Sequence, residues 1–375
     1  MKKKFAVFMA LVMAVGISLP VYAVVDNSTS SSEINSKIIA DGSASLNLSL
    51  EDALKRVETS YNQILLDDRY IEILDRQYHQ AMAYKDSGSN SLEEDGEKTL
   101  KLNVPVALYN LNNKKHEREV NLKTAKVTIT NEYQNILAAQ QNIDYINEEI
   151  SKLQKEMNSI NAKINVGLAK ASDIEQFKAT MATYEANLSS AQSKMKSSVI
   201  SLKNDLGIDL NTEIVLTSKP IEYVKFNDSL IYKRIQTAIE NSYNIKALKQ
   251  EIENTEIEYN IYDRFSNANK DSTEIKLEGL KNQLEQMPNS IEVRLRTQYN
   301  TLKSLENGIE ADKLNIEAAE INLEIAQENY NLGQITYLDL LSAELQLSKA
   351  KNTLQQDIIS YMAAVATLEN SLELQ

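Results

Sequence analysis

The chain of 375 residues contains no cysteine and no tryptophan, and only two histidines, His79 and His116. Without cysteine it can form no disulfide, no thiolate metal site and no cysteine nucleophile. Each histidine stands alone among polar residues, so we expect both on the surface. The sequence also has no glycine-rich phosphate loop, no nucleophile elbow and no cluster of metal ligands. It therefore predicts a protein that is not an enzyme and that holds no cofactor and no metal.

Glycine and proline are scarce, with nine and four residues respectively. Because both residues interrupt helices, their scarcity favours long continuous helices. Charge is one-sided, with 53 acidic against 40 basic residues and a formal net charge of −13. A nucleic-acid partner would require a basic surface, so no such partner is expected. The acidic balance suits a self-repelling soluble surface or an acidic passage for cations.

The N terminus has the pattern of a secretory signal peptide. A basic region at residues 2–4 precedes an apolar run at 5–19 and a small-x-small cleavage site at 21–23. An uncleaved membrane anchor is the alternative, but the run is shorter than the roughly 20 residues of a span and Pro20 breaks it. We therefore expect an exported chain in which residues 24–47, rich in Ser, Asn and Asp, form a flexible leader.

A motif with a central glycine occurs twice. The segment 165–168 (NVGL) is followed by Asp173, and the segment 331–334 (NLGQ) by Asp339, so each aspartate comes six residues after its glycine. Both copies separate long stretches of helical periodicity. An internal repeat of this kind predicts one structural unit built twice, with a tight turn between two long helices.

A second pair of matching segments supports the duplication. Residues 57–62 (VETSYN) correspond to residues 239–244 (IENSYN). The chain then divides into a first repeat at 48–207, a linker at 208–228 and a second repeat at 229–375.

Helical periodicity fills most of both repeats. Apolar residues recur every seven positions in the first repeat, and a second apolar series lies between them, broken once by Glu132. The sevenfold series is Leu122, Ile129, Ile136, Ile143, Ile150, Met157 and Ile164. Further helices are predicted at 174–207, from 274 to 330 with possible kinks at Pro288 and Gly308, and from 338 onwards. A single chain of such long helices cannot bury the apolar residues on both faces of each helix. We therefore expect helices of neighbouring subunits to cover the apolar stripes that remain.

One stretch departs from the helical pattern. Leu100–Tyr109 (LKLNVPVALY) is strand-like, and Pro105 would confine such a strand to an edge. Residues 86–99 before it are expected to form a polar loop. The predicted fold class is all-α, with two tandem long antiparallel helical hairpins in a coiled-coil α-barrel and at most vestigial strands.

The signal peptide, the tandem repeat and the N-V-G-L turn together resemble the outer-membrane efflux channels of the TolC type. Residues 48–54 (LSLEDAL) match the start of a half in that family. Residues 103–106 (NVPV) are similar to the exit from its strands into a long helix, and residues 290–294 (SIEVR) to the re-entry in the second half. The resemblance covers nearly all of the chain after the signal peptide.

The resemblance implies a homotrimer in which two hairpins from each chain form a passive tunnel of twelve helices for small molecules or proteins. It implies two partners, a periplasmic adaptor (membrane fusion) protein and a pump driven by ATP or by protons. The turns would dock on the adaptor. The residues concerned are Val166, Gly167, Leu168, Leu332 and Gly333. The alternative is that the glycines only close a hairpin.

The resemblance also implies a gate at the closed end of the tunnel. A tyrosine three residues before the second glycine, Tyr330, would bond Asp173, while Asp339 would line the constriction. Two positions depart from the family, since Ile335 stands where an arginine is frequent and Ser342 where a second lumen aspartate would lie. Capping of helix N termini is the alternative role for both aspartates.

The membrane strands of the family are largely missing. The family supplies four strands per chain, whereas this sequence has room for one or two in the first half and none in the second. We therefore expect a divergent member in the cell envelope, in the outer membrane if the cell has one and otherwise in the cell wall or outside the cell. A secreted coiled-coil spacer that conducts nothing is the alternative.

Overall fold

The computed structural model of the chain describes residues 45–88, 92–167 and 170–374, without the side chains of residues 171–173. The predicted signal peptide and most of the predicted leader lie outside this range. The elements in chain order are β1 (Leu46–Leu48), α1 (Leu50–Ser60), α2 (Asn62–Asp86), α3 (Glu94–Lys101), α4 (Asn103–Asn165), α5 (Ala171–Asp205), β2 (Ile214–Leu216), α6 (Ile231–Asn241), α7 (Tyr243–Arg264), α8 (Lys270–Asn331) and α9 (Tyr337–Glu373).

Two helices of unusual length organise the molecule. Helix α4 has 63 residues and α8 has 62, so each is a rod of about 95 Å. Helix α4 packs on α5, α8 packs on α9, and α9 packs on α4. The heptad series of the sequence forms the inner face of α4, where Ile129, Ile136 and Ile143 are buried. The predicted all-α fold with two long helical hairpins is confirmed.

We use "tip end" for the end that carries the two glycine turns and "far end" for the opposite one. Toward the far end, α2 packs on α4 and α7 packs on α8. The helix break between α1 and α2 falls at Tyr61, and the break between α6 and α7 at Ser242, where the backbone is extended. Both breaks lie within the repeated segments 57–62 and 239–244, so the duplication extends to local geometry.

The predicted linker, residues 208–228, forms hydrogen bonds with both repeats. Its strand β2 pairs in parallel with β1, in the register Leu46 to Ile214. The fully buried Tyr133 of α4 accepts hydrogen bonds from the Thr217 and Ser218 amides at 3.1 and 3.0 Å, and donates to the Leu48 carbonyl at 2.8 Å. Further along, the hydroxyl of Tyr361 on α9 accepts from the Phe226 amide at 2.8 Å.

The predicted strand at Leu100–Tyr109 is wrong. The predicted polar loop at 86–99 is also wrong from Glu94 onwards, where α3 begins. These residues form α3 and the start of α4, and both Leu102 between the two helices and Leu111 on α4 are buried. Pro105 is compatible with helix because it lies in the first turn of α4, where the backbone N–H has no helical acceptor.

Contacts with the second repeat hold α3 in place. The buried carboxylate of Glu97 accepts a hydrogen bond from Arg264 at 2.8 Å, and that of Glu94 accepts two from the Asn267 amide at 2.8 Å. Arg264 ends α7 and Asn267 lies in the turn before α8, so α3 closes the far end over that turn. No local pattern could reveal these partners, because they are more than 160 residues away in the sequence.

We expect Tyr133→Phe to lower the free energy of unfolding by about 2 kcal/mol, because the loss of one hydroxyl removes three hydrogen bonds and leaves the Ser218 amide without an acceptor, while the Thr217 amide still donates to the Leu48 carbonyl at 3.1 Å. Tyr361→Phe is the matched control, since it removes only the hydrogen bond from the Phe226 amide, and the cost should be about 1 kcal/mol. Urea unfolding followed by circular dichroism measures both. Equal costs for the two variants would contradict the fastening role of Tyr133.

A second prediction concerns Glu132, the acid that interrupts the heptad seam. Burial, and then repulsion from Asp205, raise the pKa of this carboxyl to about 7. A carboxyl whose folded pKa is raised stabilises the fold below its ordinary pKa, and this contribution is lost as the pH rises toward the folded value. Glu132→Gln should therefore stabilise the protein by about 2 kcal/mol at pH 8 and by little at pH 5. Urea unfolding of both proteins at the two pH values measures the difference in unfolding free energy. An equal stabilisation by Glu132→Gln at pH 5 and pH 8 would show that the pKa of Glu132 is not raised.

Candidate docking tips and gate

Both repeated glycines adopt the left-handed conformation that ends a helix. Gly167 has φ +75° and Gly333 has φ +71°. After α8, the Gly333 amide donates to the Tyr330 carbonyl at 2.9 Å and the Gln334 amide to the Asn329 carbonyl at 2.8 Å. This pair of bonds is the Schellman motif, which favours glycine because a side chain is strained at positive φ.

The tips are apolar and open to solvent. Val166 is 68% exposed and Leu332 is 71% exposed. A Cβ placed on Gly167 or on Gly333 would meet no atom within 4 Å. Packing within the chain therefore does not explain why apolar side chains flank these glycines. Leu168, the remaining predicted tip residue, lies outside the described residues.

An aromatic cluster joins the two hairpins just above the tips. The ring of Tyr330, at the end of α8, lies edge-on to that of Tyr337 at 5.9 Å, and the Tyr337 ring stacks parallel to that of Phe177 on α5 at 6.2 Å. Burial, and then the charge of Glu156, raise the pKa of Tyr330. The side chain of Asp173 lies outside the described residues, so its bond to Tyr330 stays a prediction.

Asp339 forms a capping box at the start of α9. Its amide donates to the Thr336 hydroxyl at 3.2 Å, and its carboxylate accepts from the Thr336 amide at 2.9 Å. Hydrogen bonds from the Thr336 side chain and then from its backbone lower the pKa of Asp339. This exposed carboxylate therefore caps a helix and keeps its charge. Of the two departures from the family pattern, Ile335 is half-buried and Ser342 is exposed.

The two histidines differ in their surroundings. His79 is exposed, as predicted. The surface prediction for His116 is wrong, because its ring is half-buried and stacks on that of Tyr243 at 3.8 Å. Burial is the main cause that lowers the pKa of His116. The stack borders a cavity of about 750 Å³ between α4, α7, α8 and the end of α9.

Sequence reasoning also missed the polar contacts that join α4 to α7 beside this cavity. The Tyr243 hydroxyl donates to the Asn113 amide oxygen at 2.8 Å, and the Tyr109 hydroxyl to the Glu251 carboxylate at 2.9 Å. The only signal for them was the place of Tyr243 in the repeated segment 239–244. Among the described residues, no helix is both long and apolar enough to span a membrane.

Comparisons with known proteins give structural neighbours only. No family model matches the sequence, and no curated protein matches it. Several solved structures share its fold. CusC, in a study of folding and transmembrane channel formation, has a TM-score of 0.68 at 13% identity, with 86% of this chain and 91% of that chain covered.

Two further neighbours are outer-membrane proteins. VceC from Vibrio cholerae has a TM-score of 0.63 at 14% identity, over 86% of this chain and 94% of that chain. The CmeC outer membrane channel of Campylobacter jejuni has a TM-score of 0.65 at 11% identity, over 87% and 85%. At these identities the comparison establishes the fold, and the predicted TolC-like fold is confirmed. These neighbours are channel proteins and not enzymes.

The glycine turns lead to a test with an internal control. Gly333→Ala should destabilise the protein by about 1 kcal/mol, because alanine is strained at positive φ. Gly279→Ala, in the interior of α8 where a Cβ meets no atom, should stabilise it by about 0.5–1 kcal/mol. Thermal unfolding of the two variants measures both signs. Stabilisation by Gly333→Ala would show that the turn does not require glycine.

Proposed function

We propose that this chain is the tunnel component of an export system in the cell envelope. Three copies would surround a passive passage for small molecules or proteins. An adaptor protein would dock on the tips Val166, Gly167, Leu168, Leu332 and Gly333, and a pump driven by ATP or by protons would supply the energy. The residues Asp173, Tyr330 and Asp339 would line or hold the gate. The shared fold with outer-membrane channels supports this proposal, and the observation that carries it is an unpartnered apolar seam on α8.

The seam lies on the face of α8 that points away from α9. Leu314, Ile321, Ile325 and Leu332 are 66%, 52%, 52% and 71% exposed. With the exposed Ala318 they follow heptad spacing, so they form one straight stripe toward the tip. A row of exposed large aliphatic side chains is typical of an interface.

A complementary stripe lies on the opposite edge of the chain. The packing order α5, α4, α9, α8 places α5 and α8 at the two edges of a four-helix wall. The exposed face of α5 carries small residues at spacings of three and four. They are Ala179, Ala182, Ala186, Ser189, Ser193 and Ser197. Large residues on one edge and small residues on the other allow the close packing of knobs into holes.

The α8 edge of one copy would contact the α5 edge of the next. Contacts between two different edges are head-to-tail, and such contacts form a closed ring when the rotation between copies divides a full turn.

The far end continues the pattern. There the packing order is α2, α4, α7, α8, so that α2 and α8 form the edges. Helix α2 exposes Leu66, Tyr70 and Ile73 at 48%, 55% and 41%, and α8 exposes Ile275 and Val293 at 71% and 64%. Both edges of the far end therefore carry exposed apolar side chains that a neighbouring copy would cover.

The test is the mass of the chain without its signal peptide, measured by light scattering in the absence of detergent. We expect a trimer for the wild type. Ile321→Glu should give monomers, because it places a charge in the centre of the seam. Asn322→Glu is the matched control, since it adds the same charge at the neighbouring exposed position outside the stripe, and should stay trimeric. A wild-type monomer would overturn the tunnel and favour a secreted coiled-coil spacer, and a trimeric Ile321→Glu would exclude this seam.

A further inference from the structure

Two glutamates from different repeats meet in the seam between α4 and α9. Glu149 of α4 is 1% exposed, and one of its oxygens accepts a bond from Lys152 at 2.8 Å. Its other oxygen, Oε2, is buried and has no donor among the described residues, and the same holds for Oε2 of Glu344 on α9. The carboxyl of Glu344 interacts directly with that of Glu149.

Two ionised carboxylates in this position would each leave an oxygen without a donor and would repel one another. A single proton on one carboxyl removes the charge repulsion and provides the missing donor, because the protonated carboxyl donates a hydrogen bond to the ionised one. Burial, and then the charge of Glu149, raise the pKa of Glu344. Physical chemistry therefore favours a proton on Glu344, with Glu149 ionised beside Lys152.

Among the residues that the structure describes, Lys152 is the one cation that acts on the pair. The groups that face the pair come from α4, α5 and α9. They are Tyr145, Glu148 and Lys152 on α4, Tyr184 on α5, and Tyr337 and Ser348 on α9. The hydroxyls of Tyr145 and Tyr184 are buried without a hydrogen-bond partner among the described residues. Within the same residues no three His, Asp or Glu side chains could hold a metal, so a proton is the simplest occupant.

The other face of α9 repeats the arrangement. Asp357 of α9 interacts with Asp312 of α8, and Oδ2 of Asp312 is buried with no donor in the described part of the chain. Burial and the hydrogen bond with Asp357 raise the pKa of Asp312. Helix α9 thus has an acid pair in each of its two long seams.

We propose that α9 is held to α4 near the tips by a proton shared between Glu344 and Glu149, and that loss of this proton loosens the α4–α9 seam. The closed seam binds the proton more strongly than the open one does. Its stability is therefore complete below the ordinary pKa of a glutamate and is lost as the pH rises toward the raised value. The consequence for a gate at the tips rests on the proposed function, whereas the behaviour of the seam itself does not.

Hydrogen exchange of the peptide 337–350, corrected for the intrinsic effect of pH, tests the proposal on the wild-type chain. Protection of this peptide should fall about tenfold for each pH unit between the open and closed pKa values of Glu344, so we compare pH 5 with pH 8. Glu344→Gln cannot titrate and its amide can still donate to Glu149, so its protection should fall much less than that of the wild type between the two pH values. Glu317→Gln, on the exposed face of α8, should behave like the wild type.

The comparison with the variant isolates the pair, because Glu132 and the Asp312–Asp357 pair are intact in both proteins and their titrations cancel. A fall in protection that is the same in Glu344→Gln as in the wild type would overturn the proposal. If the Gln variant loses its helical circular dichroism, Glu344→Leu replaces it, since leucine also removes the titration and leaves Glu149 with Lys152. If neither variant folds, the wild type decides, and unchanged protection from pH 5 to pH 8 would overturn the proposal. None of these outcomes depends on whether the chain forms a trimer.

Discussion

A helix of more than 60 residues needs partners along its whole length, and this constraint determines the rest of the structure. Neither α4 nor α8 has an interior of its own, so each must bury apolar stripes against several neighbours in succession. Helix α4 meets α2 toward the far end, α5 toward the tip end and α9 between the repeats. The stripe on α8 that remains exposed at Leu314, Ile321 and Ile325 follows from the same constraint. The described helices leave this stripe without a partner.

An apolar seam determines how closely two helices pack but not their register along the axis. A shift by seven residues brings equivalent apolar positions together again. Polar contacts supply the missing information at defined heights along the rods. Tyr133 and Tyr361 fasten the linker, Glu97 fastens α3 to the end of α7, and the acid pairs of α9 fix its neighbours. A buried polar contact is costly when it is unmade, so each of these contacts penalises a shifted register by about 1–3 kcal/mol. The proton that we propose between Glu344 and Glu149 would also make the α4–α9 seam responsive to pH.

Much of the fold could be predicted from the sequence, and the successes share one cause. Heptads and glycine turns are local patterns, and the duplicated turn at Gly167 and Gly333 set the chain order of the hairpins. The strand prediction at Leu100–Tyr109 failed for two reasons. The alternation of its apolar residues is also compatible with a helix, and α3 is held by residues that are distant in the sequence. His116 was misplaced for the same reason, since its stacking partner Tyr243 belongs to the other repeat. At the candidate gate, the sequence correctly indicated capping as a role for Asp339, whereas the Tyr330–Tyr337–Phe177 cluster depends on how the two hairpins meet. The pairing of Glu149 with Glu344 was equally out of reach, because each lies beside a heptad core and looks like a solvated flank.

In the proposed assembly, several copies of this chain close their exposed edges into a hollow helical tube. End-on projections of the particles by electron cryo-microscopy, recorded without detergent, would reveal such a tube. We expect a ring with threefold symmetry, an open centre and a wall one helix thick, in which α5 of one copy adjoins α8 of the next. Particles with a filled centre, or with α5 and α8 both facing solvent, would contradict it.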